Sequence, residues 1–291
     1  MKTGASILRR FAIVCHPDLA DASQTASVVA RYLIEHGAET AYEGSVYDEV
    51  VKSHVQSDDF DMIIALGGDG TILRAGHLAA PKDIPLFGIN MGHFGFLTEV
   101  GRNNWQSALN IILAGNYRLE ERMMLKIEHF RGNQSLGNWQ SINEVVICRG
   151  QFVRPIQLTA SVNQSRVATY VADGLIVATP TGSTAYALAA GGPILPPETH
   201  NLLIVPVAPH LSMDRAVILP EGSVVSVSVS TNHEAVLSVD GHPPIVVVDG
   251  DRIDCTASDY HLRMVRLKDP GYFYRNITHY MEHNPSAGNN E

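Results

Sequence analysis

Asp61-Met62-Ile63-Ile64-Ala65-Leu66-Gly67-Gly68-Asp69-Gly70-Thr71-Ile72-Leu73-Arg74 is an apolar run that ends abruptly in three glycines and a carboxylate. Met62 to Leu66 shows no polar alternation, as expected of a strand covered on both faces. The glycines fall where that strand must turn into a helix, and open parallel sheets bind ligands at that carboxyl-terminal edge. Gly67, Gly68 and Gly70 let backbone amides approach phosphate oxygens, and Arg74, one turn into the helix, reaches the same charge. Asp69 is the odd member. In a pure phosphate cradle a carboxylate repels its ligand, so Asp69 reads as a base or a metal partner. The spacing is not a P-loop, which needs Gly-x-x-x-x-Gly-Lys-Ser/Thr. Nor is it the dinucleotide fingerprint, whose third glycine is missing from Gly68-Asp69-Gly70-Thr71-Ile72-Leu73.

Strands and helices alternate around this stretch. Phe11 to Cys15 reads as a strand, Gln24 to His36 as a helix stopped by Gly37, and Pro85 to Asn90 as a further strand. The pattern predicts an α/β domain with an open parallel sheet, Rossmann-like, over residues 1–119. Beyond Leu119 the period changes to two, in Lys126 to Ile147, Ile156 to Tyr170 and Val224 to Ile253. Asp173-Gly174, Asp240-Gly241 and Asp249-Gly250 are hairpin signals, so residues 120–274 read as a β-rich domain. Residues 275–291 are expected to pack back on the first domain, with Asn284 to Glu291 a frayed tail.

The β-rich half carries a second dense segment, Asp173-Gly174-Leu175-Ile176-Val177-Ala178-Thr179-Pro180-Thr181-Gly182-Ser183-Thr184-Ala185-Tyr186, before the Ala-rich stretch Ala187 to Ala190. Hydroxyls crowded at a helix N-terminus make a neutral site for ribose, amide or phosphate groups; the plainer reading is a helix cap with spare hydroxyls. Ser183 is not flanked as Gly-x-Ser-x-Gly, which speaks against a hydrolase. Asn143-Glu144 pairs an amide with a carboxylate, which suits a ribose diol, although the dipeptide alone reads as the solvated start of a strand. Asp240-Gly241-His242 is most simply a hairpin turn, with His242 able to face a ligand. His279-Tyr280-Met281-Glu282-His283 has the spacing of one zinc protease class but no evident third ligand, and reads as a helix end.

Composition limits the partners. The chain has 291 residues, 45% hydrophobic and 18% charged, with a net charge of −9. That is a core-forming composition, and phosphate-backbone binding, which rests on clustered Lys and Arg, is not expected. Pro206 interrupts the longest apolar stretch, Leu202 to Ala208, and Phe11 to Cys15 is too short for a secretory core. The expectation is a cytoplasmic protein without membrane or nucleic-acid partners, its Cys15, Cys148 and Cys255 reduced thiols in β-like runs.

Taken in order, Gly67-Gly68-Asp69-Gly70-Thr71, Asn143-Glu144 and Asp173 through Tyr186 resemble the NAD kinase family, which phosphorylates the 2′-hydroxyl on the adenosine ribose of NAD. The Gly-Gly-Asp-Gly block is shared with diacylglycerol and sphingosine kinases and phosphofructokinases; the long block is far more particular. The resemblance runs from Phe11 to Tyr274. It implies an N-terminal α/β domain, a C-terminal β-sandwich domain and homodimers or homotetramers. The implied substrates are NAD and ATP, with a divalent metal, Mg²⁺ or Mn²⁺, accompanying the phosphoryl donor. By the same resemblance Asp69 is the proton acceptor, with Gly70 and Arg74 beside it, and Phe96 in Gly92-His93-Phe94-Gly95-Phe96 lines the adenine side. Asn143 and Glu144 hold ribose hydroxyls, Asp173 contacts the far end of the dinucleotide, and Thr184, Ala185, Tyr186, Ala187, Leu188 and Ala189 contact its adenosine. Thr181 and Ser183 are further NAD- or ATP-binding positions, Arg154 is a basic ligand contact, and Ala208, beside the loop Pro209 to Ala216, is assigned a contact across a subunit interface. The chain departs from the family at Val171, where members often have Lys or Arg, and at His242, where they have Gln. In Pro209-His210-Leu211-Ser212-Met213-Asp214-Arg215-Ala216 only Pro209, His210 and Arg215 keep their places in the family's loop.

A secondary alcohol is a poor nucleophile, so a carboxylate must take its proton during in-line attack on the γ-phosphorus. Amide-rich surroundings are expected to keep Asp69 ionised for that role. The rival readings are a lipid kinase, which calls for a basic or amphipathic membrane-binding face, and a non-catalytic NADP-sensing module.

Overall fold

A computed structural model describes residues 8–17, 19–57, 59–92, 95–210 and 213–282. His93, Phe94, Leu211, Ser212, His283 and the tail from Asn284 lie outside them, together with the readings made of those residues. The described residues divide into two units. One runs up to Glu121 and resumes at Leu262; the other is Arg122–His261. The sequence pattern continues the β-rich domain to residue 274, whereas the chain changes unit at Leu262. Met264, near the end of the strand Asp251–Arg266, lies in parallel register with Leu86 of the first unit's sheet.

The first unit alternates as its periodicity requires. Its elements are β1 (Arg10–Cys15), α1 (Ala20–Glu35), β2 (Thr40–Ser45), α2 (Glu49–Ser57), β3 (Met62–Gly67), α3 (Asp69–Ala79), β4 (Leu86–Asn90), the short β5 (Val100–Gly101) and α4 (Trp105–Leu113). Strand order is β4-β3-β1-β2, all parallel, with β5 beside β4. Phe11 to Val14 and Met62 to Leu66 are fully buried, which is why they show no polar alternation. Ala22, Ala26, Val29 and Leu33 bury one face of α1, and Gly37, with φ of 97°, supplies the left-handed residue that ends it. The helix Tyr272–Glu282 takes in the end of the chain's described part, including His279 to Glu282.

The second unit contains β6 (Arg118–Arg131, from Arg122 onward), β7 (Gln134–Ser141), β8 (Glu144–Arg149), β9 (Ile156–Val162), β10 (Ser165–Ala172) and β11 (Gly174–Ala178). A short helix α5 (Tyr186–Ala189) follows, then β12 (Asn201–Val207), β13 (Val217–Pro220), β14 (Val225–Ser230), β15 (Ala235–Val239), β16 (Ile245–Val247) and β17 (Asp251–Arg266, up to His261). One sheet runs β7-β6-β17-β14-β9-β10 and the other β13-β12-β11-β8-β15-β16. A single core draws Leu125, Leu158, Tyr170, Val227 and Ile253 from the first and Val145, Ile147, Leu175, Val177 and Leu237 from the second. Two antiparallel sheets over one core make a sandwich.

The Asp-Gly pairs divide. Asp240-Gly241, with φ of 47° and 69°, begins the connection between paired strands β15 and β16. Asp173-Gly174 and Asp249-Gly250 are not hairpins: each carries the chain from one sheet to the other, β10 to β11 and β16 to β17. At Gly174 the reason for glycine is packing, since a Cβ there would stand 2.8 Å from the Ile147 carbonyl oxygen on the neighbouring strand.

Candidate functional site

Asp69 opens α3 directly behind Gly68, whose backbone is extended and which offers no capping side chain. Its Oδ2 accepts the Phe96 N–H at 2.8 Å and its Oδ1 the Leu97 N–H at 3.0 Å. Gly95 permits this, because a Cβ there would lie 2.1 Å from Asp69 Oδ1. Behind Leu97 sits a buried ion network. Arg266 donates to the Leu97 carbonyl at 3.3 Å and pairs with Glu99 and Glu120 at 3.1 Å each. Burial pushes the Asp69 carboxyl above the usual carboxylate range, against the pull of the Leu97 and Phe96 amides and the charge of Arg266. The amide-rich surroundings expected from the sequence are therefore present, but desolvation outweighs them. A carboxylate fixed by these amides is oriented to take a proton, and the upward shift makes it a stronger base than an ordinary carboxylate.

The glycine loop is open where a polyanion would approach. A Cβ on Gly68 or Gly70 would meet nothing within 4 Å, whereas one on Gly67 would meet the Thr71 hydroxyl at 2.3 Å, so buried Thr71 is tucked under the loop. The Arg74 guanidinium lies over the Tyr47 ring, 4.6 Å from its centroid.

In the second unit Asn143 and Glu144 are organised by a residue the sequence reads only as a turn. Asp240 accepts the Ser141 hydroxyl at 2.7 Å and the main-chain N–H groups of Ile142, Asn143 and Glu144 at 2.7, 2.9 and 3.0 Å. From the other side the Thr179 N–H donates to the Asn143 carbonyl at 2.8 Å, and the Thr179 hydroxyl to that of Ile142 at 2.6 Å. A Cβ on Gly182 would stand 2.1 Å from the Asn143 carbonyl oxygen, so the hydroxyl-rich segment presses against the Asn143-Glu144 corner. Glu144 is 8% exposed, which corrects the solvated strand start expected of the dipeptide alone. Burial and the neighbouring Asp240 charge push its carboxyl up to about 8, opposed by the Tyr186 amide.

The remaining hydroxyls separate into scaffold and surface. Ser183 is fully buried, donating to the Pro180 carbonyl at 2.6 Å and accepting the Leu195 N–H at 2.9 Å. Thr181 is buried and accepts a hydrogen bond from Arg122 at 3.2 Å, while Thr184 donates to the Thr181 carbonyl at 3.1 Å. Ala187 is part of the core, whereas Tyr186 and Ala189 are exposed and Ala185 and Leu188 half-buried. Asp173 pairs with Arg149 at 3.0 Å. Val171 is exposed and its carbonyl accepts the His210 N–H at 2.7 Å; Ala208 is also exposed, in the left-handed region with φ of 45°. His242 folds back on the Val239 carbonyl at 2.9 Å, and Arg154 is exposed beside Phe152 and Val153. Sequence reasoning missed Arg149, Arg266 and the anchoring role of Asp240. For Asp240 the available signal was a carboxylate in a turn, shared by every Asp-Gly pair. Among the described residues no three His, Cys, Asp or Glu side chains gather to hold a metal ion, and none of the helices is long and apolar enough to cross a membrane. Cys15, Cys148 and Cys255 are free thiols, with Cys148 only half-buried.

Comparison with known proteins bears on both units. Residues 11–117 match the family described as ATP-NAD kinase N-terminal domain, and residues 142–267 the ATP-NAD kinase C-terminal domain. An NAD kinase from Chloroflexus aurantiacus is 38% identical over 272 residues, 93% of this chain and 98% of its own length. One from Heliobacterium modesticaldum is 44% identical over 214 residues, 73% of this chain and 76% of its own. Among solved structures, yeast NADH kinase complexed with NADH superposes with a TM-score of 0.81 at 22% identity, over 96% of this chain and 89% of its own. An Archaeoglobus fulgidus NAD kinase in complex with ATP gives 0.72 at 24% identity, over 94% of this chain and 99% of its own. Both share the fold.

Proposed function

Since this chain belongs to the NAD kinase family, we propose that Asp69 in its first unit and Asn143-Glu144 in its second perform the two tasks of that chemistry, proton removal and ribose binding. The protein is a phosphotransferase that uses ATP to phosphorylate NAD. The acceptor is the 2′-hydroxyl of the adenosine ribose. Its proton passes to the Asp69 carboxylate as its oxygen bonds to the γ-phosphorus. The bond from that phosphorus to the β,γ-bridging oxygen breaks, and ADP leaves. The observation that carries this reading is the Asp69 carboxylate, oriented by two amides beside an open glycine loop. The two oxygens offer four lone-pair positions, so with the Phe96 and Leu97 amides bound and that of Thr98 also pulling on the carboxylate, one remains for the hydroxyl.

At neutral pH a Glu144 carboxyl near 8 is mostly protonated, so it donates as well as accepts. With Asn143 it holds the ribose diol. Asp173, braced by Arg149, takes the far end of the dinucleotide. Phe96, Thr184, Ala185, Tyr186, Leu188 and Ala189 contact the adenosine, and Arg154, Val171, Ala208 and His242 lie at the margins. Thr181, Ser183 and Ala187 serve by shaping the backbone. The divalent metal, Mg²⁺ or Mn²⁺, arrives on the donor's phosphates and is part of that substrate; Gly67, Gly68, Gly70, Thr71 and Arg74 receive them. A cytoplasmic homodimer or homotetramer completes the proposal, testable by sedimentation.

The deciding experiment incubates purified protein with ATP, Mg²⁺ and NAD and couples product to an NADP-specific dehydrogenase. NADP formation is the expected result. Phosphorylation of diacylglycerol instead, or NAD binding without turnover, would overturn the reading.

A further inference from the structure

In the order β4-β3-β1-β2, the chain leaves β1 toward β2 on one side while β3 lies on the other, so the carboxyl ends of β1 and β3 flank a topological switch point. Open parallel sheets bind ligands in the crevice at such a point. The glycine loop and Asp69 occupy the β3 side of it. His16 leaves β1 there, its N–H reaching the Leu66 carbonyl at 3.4 Å, and Tyr47 stands just beyond β2, where the Val46 N–H meets the Cys15 carbonyl at 3.1 Å. The His16 and Tyr47 rings meet edge to face with centroids 5.4 Å apart. Arg74, from the helix behind the glycine loop, covers the Tyr47 ring at 4.6 Å, and none of the described carboxylates pairs with it. Tyr47 is nonetheless 44% exposed, a large ring left partly open beside a cation that none of the described carboxylates neutralises.

We propose that Tyr47, flanked by His16 and Arg74, is the shelf on which the base of a nucleoside triphosphate donor stacks, with Arg74 reaching back to its phosphates. The span is right. Two strand spacings of about 4.8 Å separate β3 from β2, about 10 Å in all, the distance from a terminal phosphate to a base in a partly extended nucleotide. The chemistry is right as well: an aromatic face accepts any base, and a guanidinium satisfies both a ring and a phosphate. The shelf makes the donor a nucleotide and disfavours inorganic polyphosphate, which presents the same terminal group but no base. This inference rests on the kinase reading for its ligand.

The test compares ADP with pyrophosphate, each with Mg²⁺, by calorimetric titration of the wild-type chain and of Tyr47→Leu, which keeps bulk without the ring. Wild type is expected to bind ADP more tightly than pyrophosphate. Tyr47→Leu is expected to weaken ADP about tenfold or more while leaving pyrophosphate unchanged, the loss of one base–aromatic stack. Tyr47→Phe, which keeps the ring, restores ADP binding. In turnover, Tyr47→Leu raises the KM for ATP and not that for NAD. Equal wild-type affinity for ADP and pyrophosphate, an equal loss of both in Tyr47→Leu, or a rise confined to the KM for NAD would each overturn the shelf. Failure of wild type to form NADP would instead remove the kinase reading, and the ADP comparison would still decide the shelf.

Discussion

The carboxylate of Asp240 accepts the main-chain N–H of Glu144 at 3.0 Å, and burial together with that neighbouring negative charge pushes the Glu144 carboxyl up to about 8. One residue thus holds the backbone of the Asn143-Glu144 corner and adds to the burial that keeps the Glu144 side chain protonated. Asn at position 240 tolerates the left-handed backbone but presents only one accepting oxygen to the Ser141 hydroxyl and three amides. Asp240→Asn is expected to raise the KM for NAD about tenfold or more, each lost charge-assisted bond contributing about 1.5–3 kcal/mol. Steady-state kinetics with varied NAD check it; an unchanged KM would return Asp240 to a plain turn.

Glu144 makes stability depend on pH with a definite sign. Its carboxyl titrates near 4.5 when unfolded and near 8 in the fold, so the folded chain holds the proton more tightly. That contribution is complete below about 4.5 and is lost as pH rises to about 8. Glu144→Gln removes it. Thermal melts from pH 5 to 8 should therefore show the variant gaining on wild type as pH rises, by about 2–4 kcal/mol across the window. Parallel melting curves would contradict the assignment.

Asp69→Asn should keep NAD affinity but lower kcat by about 10²–10⁴, the range for a lost general base. The raised pKa of Asp69 also sets a direction. Wild-type kcat should fall with decreasing pH through a value above the ordinary carboxylate range, and the variant should lack that acid limb. Turnover near wild type would remove Asp69 from the chemistry.

Arg266 neutralises Glu99 and Glu120 in a place where water cannot. All three are less than 7% exposed, and Arg118 adds a second cation at 3.0 Å from Glu120. Arg266→Met leaves the buried Glu99 carboxylate without its cation and Glu120 with Arg118 alone, and should cost about 3–5 kcal/mol in urea unfolding. Because Arg266 also donates to the Leu97 carbonyl, whose N–H holds Asp69, the pH limb of kcat should shift as well. A loss below about 1 kcal/mol would show that the network is not structural.

Much of the fold was legible because burial writes a local period. The unalternated runs Phe11–Cys15 and Met62–Leu66 became the central parallel strands, and Val225, Val227 and Val229 became the inward face of an antiparallel one. The turns were less legible, since Asp240-Gly241 begins a hairpin connection while Asp173-Gly174 and Asp249-Gly250 cross between sheets. Nothing within four residues of a turn records which sheet the next strand joins.

The candidate functional residues of each unit divide in the same way. Their types, a carboxylate among glycines, an amide beside a carboxylate and a hydroxyl-rich helix start, were already set by the order of the chain. Which of them face solvent and which brace the backbone was decided only in three dimensions. Ser183 and Thr181 turned inward, Glu144 was buried, and Asp240 and Arg266 found partners 96 and 146 residues away. Sequence determines periodicity because each residue's burial depends on its neighbours along one element; strand order and register decide the distant hydrogen bonds and charges that tune a carboxyl group.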